Sequence, residues 1–243
     1  IGALLGPLYT RYLMDYGFEW RIVFKYLGFA GTVVLVLFIF AVKKGGRTED
    51  IEHKQKSGID FSFFLSEKKV WVMFMILFLY VGHQSGINIW LPMYMEESMG
   101  VSPRLGSMSL SIFWTAIITG RFLVAKFGSR LKNSNIIRWG SIAGAIILTA
   151  GIVAGHPVTT TITTGIAGLL TGAFIPLVVD TASGEYPEYM GMVTSILFLA
   201  INLSMMFFPW LVGLIAQNLS FQMGMMVTSL VLVGTFFLSF NIE

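Results

Sequence analysis

Long apolar stretches alternate with short polar connections along this chain. The stretch between Glu188 and Glu243 contains no charged side chain over 54 residues. As one helix it would measure roughly 80 Å, more than twice the hydrocarbon thickness of a bilayer of about 30 Å, so it must fold back. The polar segment "QNLSFQ" at 217–222 is the expected turn. The other stretches, with at most one charge each, are residues 22–42, 70–95, 105–120, 139–155 and 157–179.

These stretches predict seven membrane-spanning helices. Backbone groups in lipid must be hydrogen-bonded within the segment, and runs of this length suit helices and not barrel strands. The composition agrees, because 12% of the residues are charged whereas soluble domains carry about 25%. We therefore expect an all-α integral membrane protein. The absence of cysteine excludes a disulfide framework and a thiolate metal site from this chain.

The basic residues are distributed unevenly among the connections. Of the 16 lysines and arginines, seven lie within 43–69 and five within 121–138. Both segments fall on the same side if the spans alternate, and the positive-inside rule makes that side cytoplasmic. We expect the C-terminus there too. Only about ten apolar residues precede Arg11, too few to span, so residues 1–10 are interpreted as the end of a further helix.

Three motifs carry a family resemblance. The sequence "TGRFLVAKFGSRLK" resembles the glycine and basic loop of major facilitator superfamily transporters. The sequence "GEYPEYMG", followed by "PWLVG", is similar to the superfamily's eleventh helix, and "GPLYTRYLMDYGFEWR" to the end of its fifth helix and the start of its sixth. Thr10 stands where that fifth-helix motif has a glycine. The segment "LYVGHQSGINIWLPMYM" most resembles the seventh helix of fucose permease and related sugar transporters.

The resemblance implies half of a twelve-helix transporter, seven complete helices with the remnant of another. Residues 1–43 would be the end of the fifth helix and the sixth helix, 44–69 a cytoplasmic interdomain linker, and 70–243 the C-terminal six-helix bundle. Such a protein moves a small polar solute by alternating access, together with an N-terminal half not contained in this chain. The bundle's expected spans are residues 70–95, 105–126, 136–155, 157–181, 189–216 and 221–241.

The second span has one polar and aromatic face, which suits the lining of a solute cavity. Gly82 and Gly86 fall on the opposite face, where small residues permit close approach of a neighbouring helix, and Pro92 is expected to kink or open the helix. The alternative is that the amides serve as hydrogen-bonding contacts between helices. The sixth span adds one asparagine. The candidate solute-binding residues are Tyr80, His83, Gln84, Asn88, Trp90 and Asn202.

Charged residues gather at the expected cytoplasmic ends of the third and fifth spans. An ion-pair cluster there would latch that face and break as the transporter changes state. The alternative is ordinary solvated surface charge, since exposed pairs contribute only about 0 to 1 kcal/mol. The candidate gate residues are Gly120, Arg121, Lys126, Arg130, Asp180 and Glu185.

No enzyme signature fits the chain. "GHQSG" lacks the first glycine of intramembrane serine proteases, Asp180 lacks the glycine context of the aspartyl enzymes, and no ligand cluster has metal spacing. No catalytic residue, cofactor, metal or nucleic-acid partner is expected. The partners are solute, membrane lipid and the other half of the transporter. Two alternatives remain: a seven-helix receptor and a multidrug efflux member of the same superfamily.

Overall fold

The structure, a computed structural model, describes residues 9–10, 12–14, 16–44 and 67–242. The chain divides into two compact units, 1–55 and 56–243, and each is taken by itself. Most of the predicted linker 44–69, Gly-Pro at 6–7 and Glu243 lie outside the described residues. The first unit contains helix α1, Trp20–Lys44, whose apolar part is Phe24–Phe40.

The described part of the second unit is helical and contains six helical segments long and apolar enough to cross a membrane. The chain is therefore an all-α, multi-pass membrane protein. The seventh span, predicted on α1, stays a prediction because the apolar part of that helix is shorter than these six segments. The helices are α2 Lys68–Met99, α3 Pro103–Phe127, α4 Asn133–Ala154, α5 Pro157–Thr171, α6 Phe174–Glu185, α7 Met190–Asn218 and α8 Phe221–Leu238.

Helix α2 lies at the centre of the bundle, where it packs against α3, α6, α7 and α8. Every residue from 80 to 87 is buried. Its apolar side chains enter two core clusters, one with Phe174 of α6 and the other with Phe113 of α3. Pro92 lies inside α2, and the helix continues through it to Met99. The central position of α2 decides which of its polar residues reach a surface.

The predicted span 157–181 is interrupted, because α5 ends at Thr171 and α6 begins at Phe174. Gly172 lies at the break and contacts α3 so closely that a Cβ there would be 2.5 Å from the carbonyl oxygen of Ile117. Pro176 has no N–H, so it cannot donate to the carbonyl four residues earlier, that of Gly172. The carbonyl of Gly172 is therefore left without its usual helical partner.

Candidate functional site

The two glycines of α2 allow neighbouring helices to approach it. A Cβ on Gly86 would lie 2.7 Å from Cγ2 of Thr228 in α8, and one on Gly82 would overlap the ring of Phe208 in α7. The predicted glycine contact face is therefore confirmed. Because α7 and α8 cover this side of α2, its polar residues either contact the neighbouring helices or reach a surface.

Tyr80 and His83 belong to the interior of the bundle, since neither has any exposed surface. The ring of Tyr80 lies 5.0 Å from that of Phe174. Nδ1 of His83 is 2.9 Å from the carbonyl oxygen of Thr228. A carbonyl only accepts, so this contact requires the proton to be on Nδ1. The structure thus separates these two residues from the candidates that reach a surface.

Gln84 and Asn88 lie one helical turn apart on α2 and differ in their exposure. Asn88 is exposed, and its Oδ1 accepts a hydrogen bond of 2.9 Å from Nε1 of Trp114 in α3. Gln84 is 8% exposed. Neither the Gln84 amide nor Nδ2 of Asn88 donates to another group in the described part of the chain. An indole and the amide of Asn88 therefore stand where α2 and α3 meet, with the Gln84 amide one helical turn away.

The sequence gives Trp114 only as a weaker cavity candidate of the third span, outside the six main ones, although its indole is the direct partner of Asn88. The sequence alone shows a tryptophan among small and hydroxylated residues of the third span. The partner of a side chain in another helix depends on how the two helices pack, which helical spacing does not contain.

Trp90 and Asn202 are used differently from the Asn88–Trp114 pair. Trp90 is half-buried, and its Nε1 donates to the carbonyl of Pro209 in α7 at 2.8 Å. Asn202 is exposed, but its Nδ2 donates to Phe198 of its own helix at 2.7 Å. The structure thus gives Trp90 a contact that joins helices, and ties the amide of Asn202 within α7.

The candidate gate residues lie at the end of the bundle where α2 begins and α3 and α6 end. Nζ of Lys69 is 2.9 Å from Oε1 of Glu185, and the hydroxyl of Tyr186 donates to Glu67 at 2.9 Å. Burial and the adjacent Glu67 carboxylate raise the pKa of Tyr186, so its hydroxyl remains a donor at neutral pH. These two contacts join the start of α2 to the last residue of α6 and to the residue that follows it.

Arg121 satisfies the carbonyl freed by the helix break. Its Nε donates to the carbonyl oxygen of Gly172 at 2.9 Å. The preceding residue, Gly120, contacts the carbonyl of Leu169, where a Cβ would overlap the oxygen. In the "TGR" motif, the glycine therefore permits the close approach of α5. The arginine supplies the hydrogen-bond donor that Pro176 lacks.

Asp180 is bound by an amide and not by a cation. Nδ2 of Asn133 lies 2.9 Å from Oδ2 of Asp180, and both residues line a cavity of about 580 Å³ together with Arg121. Lys126 and Arg130 are exposed. Among the described residues, no salt bridge joins the three predicted basic residues to Asp180 or Glu185.

The pairing at this end therefore differs from the predicted ion-pair cluster. Arg121 is held by a backbone carbonyl, and Glu185 is paired with Lys69. Glu67, Lys69 and Asn133 are not among the gate residues predicted from the sequence. Their partners lie far along the chain, and the sequence does not show which helix ends meet in the folded bundle. In the described part of the chain, no group of three or more histidine or acidic side chains is placed to hold a metal.

Comparison with known proteins decides the family. The family model for the Major Facilitator Superfamily matches residues 1–183. The chain belongs to this superfamily. It is also similar to the glucose/mannose transporter GlcP of Bacillus subtilis (strain 168), with 23% identity over 245 residues, which is 96% of this chain and 60% of that protein. The chain thus spans less than two thirds of the length of this relative.

Proposed function

We propose that this chain is part of a secondary transporter that moves a small, polar, sugar-like solute across a membrane by alternating access. The superfamily membership supports the transport class, and the similarity to a glucose/mannose transporter supports the kind of solute. In this proposal the bundle of α2 to α8 forms one wall of the solute cavity. The other wall belongs to the N-terminal half of the same transporter.

The observation that carries the proposal is the Asn88–Trp114 pair. A sugar presents hydroxyl groups, which accept from amide N–H groups, and an apolar ring face, which packs on an aromatic plane. Nδ2 of Asn88 and the amide of Gln84 supply the donors, and the indole of Trp114 supplies the plane. A lipophilic drug would leave both amides unpaired, which disfavours multidrug efflux. The family match does not favour the receptor alternative.

The end of the bundle around Arg121 is, in the same proposal, the cytoplasmic gate. Its support is the abundance of basic residues in 43–69 and 121–138, since the positive-inside rule favours the cytoplasmic side for basic segments. Contacts that connect helix ends there are the kind that must rearrange when the two halves rock. Contacts of this kind are Lys69–Glu185, Tyr186–Glu67, Asn133–Asp180 and Arg121–Gly172.

The test replaces Asn88 with leucine in the complete transporter and measures the binding of glucose per folded molecule. A solute hydroxyl left unpaired costs about 1 to 3 kcal/mol, or roughly five- to a hundred-fold in affinity. The matched control is Asn202→Leu, because that amide is bonded within its own helix. We expect the control to change affinity by less than about two-fold. Normal glucose binding by Asn88→Leu, or equal losses in the two variants, would contradict the proposed site.

A further inference from the structure

An apolar groove of about 580 Å³ opens on the side of the bundle between α3, α4 and α5. Leu123, Ile136, Ala143 and Leu170 form much of its wall. Trp139, 66% exposed, stands at its edge, and Asn135 is the one amide in its lining. The groove is distinct from the Asn88–Trp114 pair, and in a multi-pass protein a side opening of this kind faces lipid.

The groove follows from how the helices pack. Gly140 of α4 contacts α5 so closely that a Cβ would lie 2.8 Å from the carbonyl oxygen of Leu170, and Gly120 of α3 contacts the carbonyl of Leu169. Because both glycines bring their helices close to the backbone of α5, a furrow remains between the larger residues on each side. Its depth therefore depends on the same glycine contacts that hold α5 in place.

Two basic residues adjoin one end of this groove along the chain. Arg130 and Lys132 flank Leu131, a lining residue, and all three are exposed. The sequence contains no acidic residue between Glu97 and Asp180, and Asp180 lines the adjoining cavity, which shares Val124 and Leu131 with the groove. Trp139 follows Lys132 by seven residues, about 10 Å along the axis of α4. From the start of α4 inward, the basic residues thus come first, then the indole of Trp139, and then the apolar walls of the groove.

We propose that the groove binds an anionic glycerophospholipid of the bilayer. Arg130 and Lys132 contact the phosphate-bearing headgroup, Trp139 lies at the level of the headgroup and glycerol, and an acyl chain lies against Leu123 and Ala143. A basic pocket between membrane helices is a recognised kind of anionic lipid site, and tryptophan concentrates at that depth. A soluble phosphate would leave the apolar walls unused, and a zwitterionic lipid would gain little from the excess of positive charge.

The experiment uses the complete chain in nanodiscs of phosphatidylcholine with a fixed fraction of a brominated lipid, which quenches nearby tryptophan. The signal of Trp139, one of six tryptophans, is the difference between the parent and Trp139→Phe. Brominated phosphatidylglycerol is compared with brominated phosphatidylcholine. Each basic side chain near a membrane surface contributes about 1 kcal/mol, so we expect a preference for phosphatidylglycerol of at least about five-fold.

The preference should fall to about one in Arg130→Gln/Lys132→Gln. It should persist in Arg104→Gln, which removes an exposed arginine near the start of α3, at the opposite end of that helix. A further variant, Ala143→Phe, fills the groove without changing charge and should reduce quenching by both lipids. Equal quenching by the two lipids in the parent, or a preference unchanged in the Arg130/Lys132 variant, would overturn the proposal.

Discussion

Two polar residues of α2, only five positions apart, have opposite surroundings. His83 is fully buried and bonded to the backbone of α8, whereas Asn88 is exposed and bonded to a side chain of α3. The sequence assigns both to one broad polar and aromatic face and so predicts one shared role, although five positions correspond to about 140° around a helix. The contact partners separate them: His83 joins helices, and Asn88 presents a donor at a surface.

Replacing His83 with alanine should therefore lower stability and spare binding. The variant loses the hydrogen bond to Thr228 and leaves a small cavity, so we expect about 1 to 3 kcal/mol lower stability. Thermal unfolding of the detergent-solubilised protein measures this loss, and glucose affinity per folded molecule should stay within about two-fold. If His83→Ala kept the stability of the parent but bound glucose more weakly, His83 would act in the solute site instead.

At the scale of the helices, the contact between α3 and the broken α5–α6 segment is the most specific feature of the bundle. Gly120 and Gly172 bring the backbones together, and Arg121 donates to the carbonyl that Pro176 cannot serve. The glycine and arginine at 120–121 lie more than fifty residues from Pro176. In the folded bundle, Arg121 supplies the hydrogen bond to Gly172 that Pro176 cannot make, because proline has no N–H.

This dependence predicts that Pro176→Ala makes Arg121 less important. Alanine restores an N–H that can donate to Gly172. A hydrogen bond from a charged group is worth about 1.5 to 3 kcal/mol, so Arg121→Ala should destabilise the parent by an amount in this range. In the Pro176→Ala background the loss should be smaller by roughly 1 kcal/mol. The comparison is a double-mutant cycle of unfolding midpoints, and additive losses would mean that the two residues are independent.

The sequence predicts the helical class and a helix for each of the six spans after residue 69, because hydrophobic length is a property of each segment alone. It also predicts that Gly82 and Gly86 make close contacts. It does not predict the break at Gly172, the role of Trp114 or the Lys69–Glu185 pair. These three features depend on which helix lies beside which, and that information arises only when the bundle is assembled.

At the scale of the whole molecule, charge and contacts give a consistent orientation. The starts of α2 and α4 and the end of α6 meet through Lys69–Glu185 and Asn133–Asp180. Of the eight basic residues within 67–242, seven lie at or next to these ends, namely Lys68, Lys69, Arg121, Lys126, Arg130, Lys132 and Arg138. The bundle thus has one strongly basic end, as the positive-inside rule requires of the cytoplasmic side.

Reporter domains fused after Val42 and after Ile242 should consequently both report the cytoplasm. The matched control is a reporter inserted after Gly155, which follows α4 and should report the opposite side. Enzymatic reporters that are active on only one side of the membrane make the measurement. A fusion at Val42 that is active outside would contradict the orientation proposed for every helix.

In the proposed transporter, Asn88 faces a water-filled solute cavity whereas His83 is enclosed within the bundle. This chain contains no cysteine, so single cysteines at positions 88 and 83 can be compared directly in the complete transporter, with any cysteines elsewhere replaced. We expect Asn88→Cys to react with a membrane-impermeant thiol reagent, glucose to slow that reaction, and His83→Cys to remain unreactive in the folded protein. An unreactive cysteine at position 88, or equal reactivity at both positions with no protection by glucose, would contradict the account.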